Sequence, residues 1–282
     1  MPELPEVETM RRGVAPIAGS TIAEVWAPRS RLRPIKIIPR LATLRRRMTG
    51  RRIASVGRAG KRVVLHLDSD ERLVIEPRMT GRLLLDQPPD GNYVRLVLEL
   101  QGGPHYRLMF RDVRGLGVVR LLSPRQCARE LGPAHLGPDA LEITAAELAA
   151  RLSASRRAVK VALMDQRAVA GIGNLYASEI LHVARLHPAL PCNLLRPRQW
   201  LRLHECIGEV LREAIDCQGS TLDDRTYATV ENRAGVYQER HRVYQRQGQP
   251  CSQCGRAKIV RIVQAQRSTF FCPRCQADRG RS

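Results

Sequence analysis

Cys251-Ser252-Gln253-Cys254 and Cys272-Pro273-Arg274-Cys275 are two C-x2-C pairs with 17 residues between them. Four thiolates at that spacing suit a tetrahedral zinc ion. The stretches between them, Ile259 to Val263 and Ser268 to Phe271, can pair as a hairpin. The reading is a four-cysteine zinc finger of β-hairpin type. Its single Zn2+, held by Cys251, Cys254, Cys272 and Cys275, is structural, because four protein ligands leave no open coordination position. The module presents Arg256, Lys258, Arg261 and Arg267. Arg267 stands just before the second pair, where a fixed guanidinium grips a phosphate with two hydrogen bonds. Cys127, Cys192, Cys206 and Cys217 are scattered and read as ordinary thiols.

The charge agrees with an anionic partner. Lys plus Arg number 47 against 27 Asp plus Glu in 282 residues, a formal net charge of +20. The last fifty residues hold eleven basic and two acidic side chains. Such a surplus points first to nucleic acid, with ribosomal RNA as the generic alternative. A membrane surface is disfavoured, since no long basic amphipathic helix is visible. No apolar run approaches a membrane span. Glu3, Glu6 and Glu8 fall where a signal peptide would be basic. The expected location is the cytosol, or association with the nucleoid.

Residues 2–18 read as a short helix with Val7, Met10 and Val14 on one face. From about 20 to 123 short apolar or alternating runs, punctuated by Gly, Pro, Asp and Ser, predict strands without intervening helices, hence an antiparallel sandwich or barrel. Leu131-Gly132-Pro133 and Leu136-Gly137-Pro138 mark a joint. Beyond it the apolar period becomes helical: Thr144 caps one helix, and others are expected over 156–165, from Asn174 to about Arg185, and from Trp200 to Ile215. Residues 219–243 lack apolar periodicity and read as a mobile loop. The expected class is α+β. A sandwich domain occupies 1–131, a helical domain 132–243 and a zinc finger 244–282.

Three further groups carry chemistry. If Met1 is removed, Pro2 becomes a free secondary amine, which condenses with a sugar aldehyde to a cationic iminium. Glu3 beside it is placed to move protons. The bland reading is a proline at a helix start. Gly171-Ile172-Gly173-Asn174 lies between two predicted helices and fits a helix–two-turn–helix gripping a DNA backbone, or else a simple tight turn. Lys61 opens a strand, where lysines are usually solvated. Met79 and Arg114-Gly115-Leu116, on separate strand-end loops, form a wedge that could fill a gap in a base stack, or else pack as ordinary loops.

Taken together, the chain resembles the bacterial formamidopyrimidine-DNA glycosylases over nearly its whole length. The resemblance rests on Pro2-Glu3-Leu4-Pro5-Glu6-Val7-Glu8-Thr9, Arg31-Leu32-Arg33, Lys61, Met79-Thr80-Gly81, Leu136-Gly137-Pro138 and Leu163-Met164-Asp165. It continues in Gly171 to Glu179 and Ala265 to Phe270. It implies a bifunctional glycosylase/AP lyase, acting as a monomer on damaged double-stranded DNA. Such an enzyme removes 8-oxoguanine and formamidopyrimidines and then cuts the strand by β,δ-elimination. Pro2 would be the nucleophile and Glu3 the proton donor. Lys61 and Arg267 would assist strand cleavage. Met79, Arg114 and Leu116 would fill the void, and Arg156, Lys160 and Asn174 would bind DNA. The 219–243 loop would fold over the extruded base.

The sequence departs from the family in places. Leu116 replaces a phenylalanine and Gly115 an arginine. Glu76 replaces a histidine, putting negative charge where a phosphate contact is expected. Asp90-Gly91-Asn92-Tyr93 replaces a Lys-His-Asp-His stretch. Two alternatives stay open: an endonuclease VIII-like enzyme for oxidised pyrimidines, and a DNA-binding protein that has lost catalysis.

Overall fold

The computed structural model describes residues 2–29, 32–88, 92–222 and 227–277. Met1, Arg31, Asp90, Gly91 and residues 223–226 of the predicted loop lie outside the described residues. The chain divides into two compact units. One comprises 1–132 with 215–238, the other 133–214 with 239–282.

The first unit opens with α1 (Leu4–Val14), which starts with Pro5 in its first turn and buries Val7, Met10 and Val14 completely. Then come β1 (Thr21–Trp26), β2 (Lys36–Ile38), α2 (Leu41–Met48), β3 (Ile53–Ala59), β4 (Arg62–Leu67), β5 (Arg72–Glu76), β6 (Gly81–Leu85), β7 (Val94–Gln101), β8 (Arg107–Asp112), β9 (Val118–Leu122) and α3 (Pro124–Glu130). The strands form a four-stranded sheet, β1-β7-β8-β6, and a five-stranded sheet, β2-β9-β5-β4-β3. Their inner faces share one core with α1, in which Leu65, Leu73, Leu83, Leu96, Phe110 and Val119 are buried. Alternation drives this arrangement: side chains of a strand point to opposite faces, so each apolar set meets the opposing layer.

The sandwich follows the expected pattern with three corrections. First, α2 interrupts the stretch read as strands. Its Leu44 and Met48, four residues apart, face inward while Arg45, Arg46 and Arg47 stay outside. Second, the expected antiparallel pattern is broken at one place, where β2 pairs with β9 in parallel. Third, the 219–243 segment has buried anchors. Tyr227 and Val230 join the core beside α1, and Tyr237 has no exposed surface. These anchors are irregularly spaced, so no period announces them.

In the second unit, α4 (Ala145–Leu152) carries a capping box in which the Glu147 N–H donates to Thr144 Oγ1 and Thr144 N–H donates to Glu147. It is followed by α5 (Val159–Leu163), α6 (Asn174–Val183) and α7 (Pro197–Asp216). The helices bury Leu148, Ala162, Tyr176, Ile180, Leu203, Ile207 and Leu211. The hairpin pairs β10 (Val260–Gln264) with β11 (Arg267–Phe271) in antiparallel register. One buried carboxylate fastens the segment ahead of that hairpin to α6. Glu179 accepts the backbone N–H groups of Arg242 at 2.8 Å, Val243 at 3.0 Å and Tyr244 at 2.8 Å. Among the described residues no helix is long and apolar enough to cross a membrane.

His241, next to that fastening, is buried, and desolvation together with the nearby Arg246 charge holds its pKa down to about 4. Below its ordinary pKa the unfolded chain takes up a proton that the folded chain refuses. Stability therefore falls as pH drops from 6.5 towards 4, by up to roughly 3 kcal/mol from this residue. In melting curves across that window, His241→Gln should lose less stability on acidification than the parent. Parallel curves would contradict this.

Candidate active site and nucleic-acid interface

At the head of the first unit Pro2 is buried, and Glu3 forms the N-cap of α1. The Glu6 carboxylate organises this end. Its Oε2 accepts the Glu3 N–H at 2.8 Å and its Oε1 accepts the Ser220 N–H at 2.9 Å. Residue 3 is thus fixed by a carboxylate one turn later, which the start of the 219–243 segment holds in turn. The motif contained Glu6, but nothing in the sequence assigned it this task.

Lys61 sits in the two-residue turn Gly60-Lys61 between β3 and β4, where Ala59 pairs with Arg62. Gly60 takes the positive φ of 55° that such hairpin turns require.

The three wedge residues occupy two loops joined by one buried acid. Asp112, at the end of β8, has no exposed surface. Its Oδ1 accepts the Thr80 hydroxyl and the Arg114 N–H, and its Oδ2 accepts the Gly117 N–H at 2.7 Å. The Arg114 N–H also donates to Thr80 Oγ1 at 3.0 Å. Met79 is exposed, with the Arg114 guanidinium 3.1 Å from its sulfur, and Leu116 is half-buried. Met79 and Arg114 therefore present together. Asp112 and Thr80, which fix them, were missed by the sequence reading. A carboxylate that bonds mostly backbone has no partner to reveal it in one dimension.

Gly115 has a structural reason in this chain. Its φ is +61°, and an added Cβ would meet the Arg33 carbonyl oxygen at 2.5 Å. The family's arginine has no room there without moving that carbonyl. Glu76, expected to repel phosphate, is surrounded instead by Arg62 at 3.3 Å, Arg78 at 2.9 Å and Arg120 at 3.1 Å.

In the second unit Lys160 is fully buried. Its ammonium donates to Asn174 Oδ1 at 2.6 Å, Thr269 Oγ1 at 2.8 Å and the Ser268 carbonyl at 3.3 Å. Asn174 Nδ2 donates to the same carbonyl at 3.0 Å. The ammonium ties the head of α6 to the hairpin and orients Asn174. Arg156 is exposed ahead of α5. Arg267 is exposed at the start of β11, after the turn Ala265-Gln266, whose residues both have positive φ, 46° and 59°.

The ligating sulfurs of Cys251, Cys254, Cys272 and Cys275 all lie within 4.8 Å of one another. Cys251 and Cys275 are 3.9 Å apart, and Cys254 and Cys272 are 3.8 Å apart. Tetrahedral zinc with Zn–S bonds near 2.3 Å requires S···S edges of about 3.8 Å, so the set fits. The backbone N–H of Arg256 is the main cause that draws the Cys254 thiol down to about 6, whereas burial and the neighbouring sulfurs push Cys272 and Cys275 up. All four carry charge together only around a cation. His182 of α6, itself buried, places Nε2 3.4 Å from Cys251 Sγ.

Comparison with known proteins places this geometry. Residues 1–119 match the formamidopyrimidine-DNA glycosylase N-terminal domain, and residues 136–226 match the H2TH domain of the same family. Residues 248–277 match the zinc finger found in FPG and IleRS. The chain belongs to the formamidopyrimidine-DNA glycosylase family. The family member of Chloroflexus aurantiacus is 43% identical, with 98% of each chain covered. That of Bacillus subtilis is 40% identical over 98% of this chain and 99% of its own. The solved MutM (Fpg) protein of Thermus thermophilus superposes with a TM-score of 0.83 at 38% identity, covering 98% of each chain. Lactococcus lactis Fpg, solved with DNA containing an abasic site, gives 0.85 at 33% identity, covering 98% of this chain and 100% of that one.

Two outcomes follow for this family member. Elemental analysis should find one zinc per chain, and stripping it should lower DNA affinity by at least about tenfold until zinc is restored. A content well below one would refute the four-cysteine site. Gly115→Ala should lower stability by roughly 1–3 kcal/mol in denaturant titration, since it adds both left-handed strain and a clash. An unchanged midpoint would show that the Arg33 carbonyl yields freely.

Proposed function

We propose that this chain is a bifunctional DNA glycosylase/AP lyase that excises oxidised purines, 8-oxoguanine and formamidopyrimidines, from damaged double-stranded DNA. The observation that carries the reading is the N-terminal arrangement. Pro2 and Glu3 head a helix whose Glu6 fixes the Glu3 backbone, in a chain that matches all three domains of the family.

A base stacked in duplex cannot present C1′ to a nucleophile, so the damaged nucleotide is extruded at a cost of a few kcal/mol. Met79, Arg114 and Leu116 enter the vacated space. Arg267 holds phosphates, Asn174 contacts the backbone, and Arg156 adds charge. Lys160 acts through Asn174. With Met1 removed, the Pro2 nitrogen lone pair forms a bond to C1′, the C1′–N bond to the base breaks, and the base leaves with a proton. Glu3 donates a proton to the opening sugar. The resulting iminium withdraws electrons and acidifies the C2′ hydrogen. Loss of that proton expels the 3′ phosphate, and a second elimination expels the 5′ phosphate. Lys61 and Arg267 stabilise the departing phosphates. The zinc supplies no chemistry: Cys251, Cys254, Cys272 and Cys275 hold it as a scaffold for Arg267. The setting is the bacterial nucleoid, and a monomer suffices.

Borohydride reduction tests the covalent step. On duplex containing 8-oxoguanine or an abasic site, protein beginning at Pro2 should form a stable adduct, and protein extended at its N-terminus should form none. Absence of adduct with the Pro2-initiated form would overturn the reading. Adduct on thymine glycol but not on 8-oxoguanine would move the substrate class to oxidised pyrimidines.

A further inference from the structure

Glu76 is the most awkward residue in a DNA-binding reading, because a carboxylate repels phosphate. We propose that it is instead the positioning residue of a phosphate grip whose arms are Arg62 and Arg78. The grip rests on the reading given under Proposed function and adds to it a binding element that the expected site residues do not include.

Three guanidinium groups converge on this one buried carboxylate. Arg62 approaches Oε2 from β4, Arg120 approaches the same oxygen from β9, and Arg78 approaches Oε1 from the loop after β5. Arg120 is shared with Glu130 at 3.2 Å, so it serves two acids. Arg62 and Arg78 contact Glu76 through Nε. The pair of terminal Nη groups is the edge of a guanidinium that grips a phosphate with two bonds. The Arg78 side chain is 52% exposed, against 11% for Glu76. The cluster therefore buries its negative charge, and Arg78 carries positive charge outward, with Arg62 22% exposed.

Backbone geometry supports the same assignment. Arg78 has φ of +57°, a conformation that favours glycine. Strain of this kind persists where surrounding contacts hold it, and it gathers at functional loops. Here the Gly81 N–H donates to the Pro77 carbonyl at 2.9 Å, closing the turn around Arg78, and the Glu76 ion pair ties down its side chain.

Position completes the argument. Val63 of β4 pairs with Ile75 of β5, which brings Arg62 and Glu76 to the same end of the sheet. Lys61 directly precedes Arg62, and Met79 directly follows Arg78. Both arms thus stand next to residues of the proposed site, Arg62 beside the strand-cleavage lysine and Arg78 beside the wedge methionine. The ligand class is the sugar-phosphate backbone of the damaged strand beside the lesion. A second role for Glu76 follows from Coulomb repulsion: without it, Arg62, Arg78 and Arg120 would push one another apart.

The test turns on a sign. Removing a negative charge from a DNA-binding surface should tighten binding if charge alone matters. If Glu76 aims the arms, removal loosens it. Affinity for duplex containing an uncleavable abasic-site analogue would be measured across a salt series for the parent, E76Q, R78A and the double variant, with melting curves as a folding check. Arg78→Ala should weaken binding about tenfold and reduce the slope of log affinity against log salt by about one. Glu76→Gln should weaken binding roughly threefold to tenfold in the parent, and by less when Arg78 is absent and only Arg62 is left to aim. Coupling of that kind is not expected of a merely structural residue. Tighter binding by E76Q with Arg78 in place, or an unchanged salt slope in R78A, would overturn the proposal. If E76Q fails to fold, the R78A slope decides. Borohydride trapping by the parent is scored separately: its failure would sink the enzyme reading, whereas a flat R78A slope with normal trapping would sink only the grip.

Discussion

Four thiolate sulfurs within 4.8 Å of one another repel unless a cation lies between them. Much of the second unit is built on that constraint. The metal joins two knuckles that would otherwise be loose ends of a hairpin with few apolar residues of its own: Val243, Ile259 and Phe270 form its small core with Cys251 and Cys272. Ser268 and Thr269 of that hairpin then accept the buried Lys160 ammonium, and Asn174 shares the Ser268 carbonyl. The head of α6 is thereby tied to the hairpin. Glu179 from the middle of α6 and His182 near its end make two further ties. Each displaced polar group would be left buried without its partner, which costs far more than the bond contributes when made.

The first unit uses acids in the same way. In a chain of +20 charge a carboxylate is scarce, and the buried ones are spent on geometry. Glu6 fixes residues 3 and 220, Asp112 fixes the loops of Met79 and Arg114, and Glu76 gathers three arginines. The buried anions decide where the neighbouring cations stand.

This division explains what one dimension reveals. The zinc ligands were legible because two C-x2-C pairs leave few alternatives. The core strands and α1 were legible from their apolar periods, as was the cap at Thr144. The short β2 and the arginine-rich α2 were not, because Leu44 and Met48 give too brief a stripe. Asp112 was invisible because two of its three partners are backbone N–H groups. Lys160 was expected on DNA from the resemblance, and its partners, oxygens up to 109 residues away, left no signal in the sequence. Gly115 and Glu76 read as losses against the family pattern, because the Arg33 carbonyl and the three guanidiniums become neighbours only after folding.

The loop that carries Leu116 is held through Asp112 and the backbone at 114 and 117, with Gly115 admitting no side chain. None of these fixtures involves the Leu116 side chain itself. Natural variation can therefore exchange that side chain, for an aromatic ring or a smaller aliphatic group, while the loop keeps its shape.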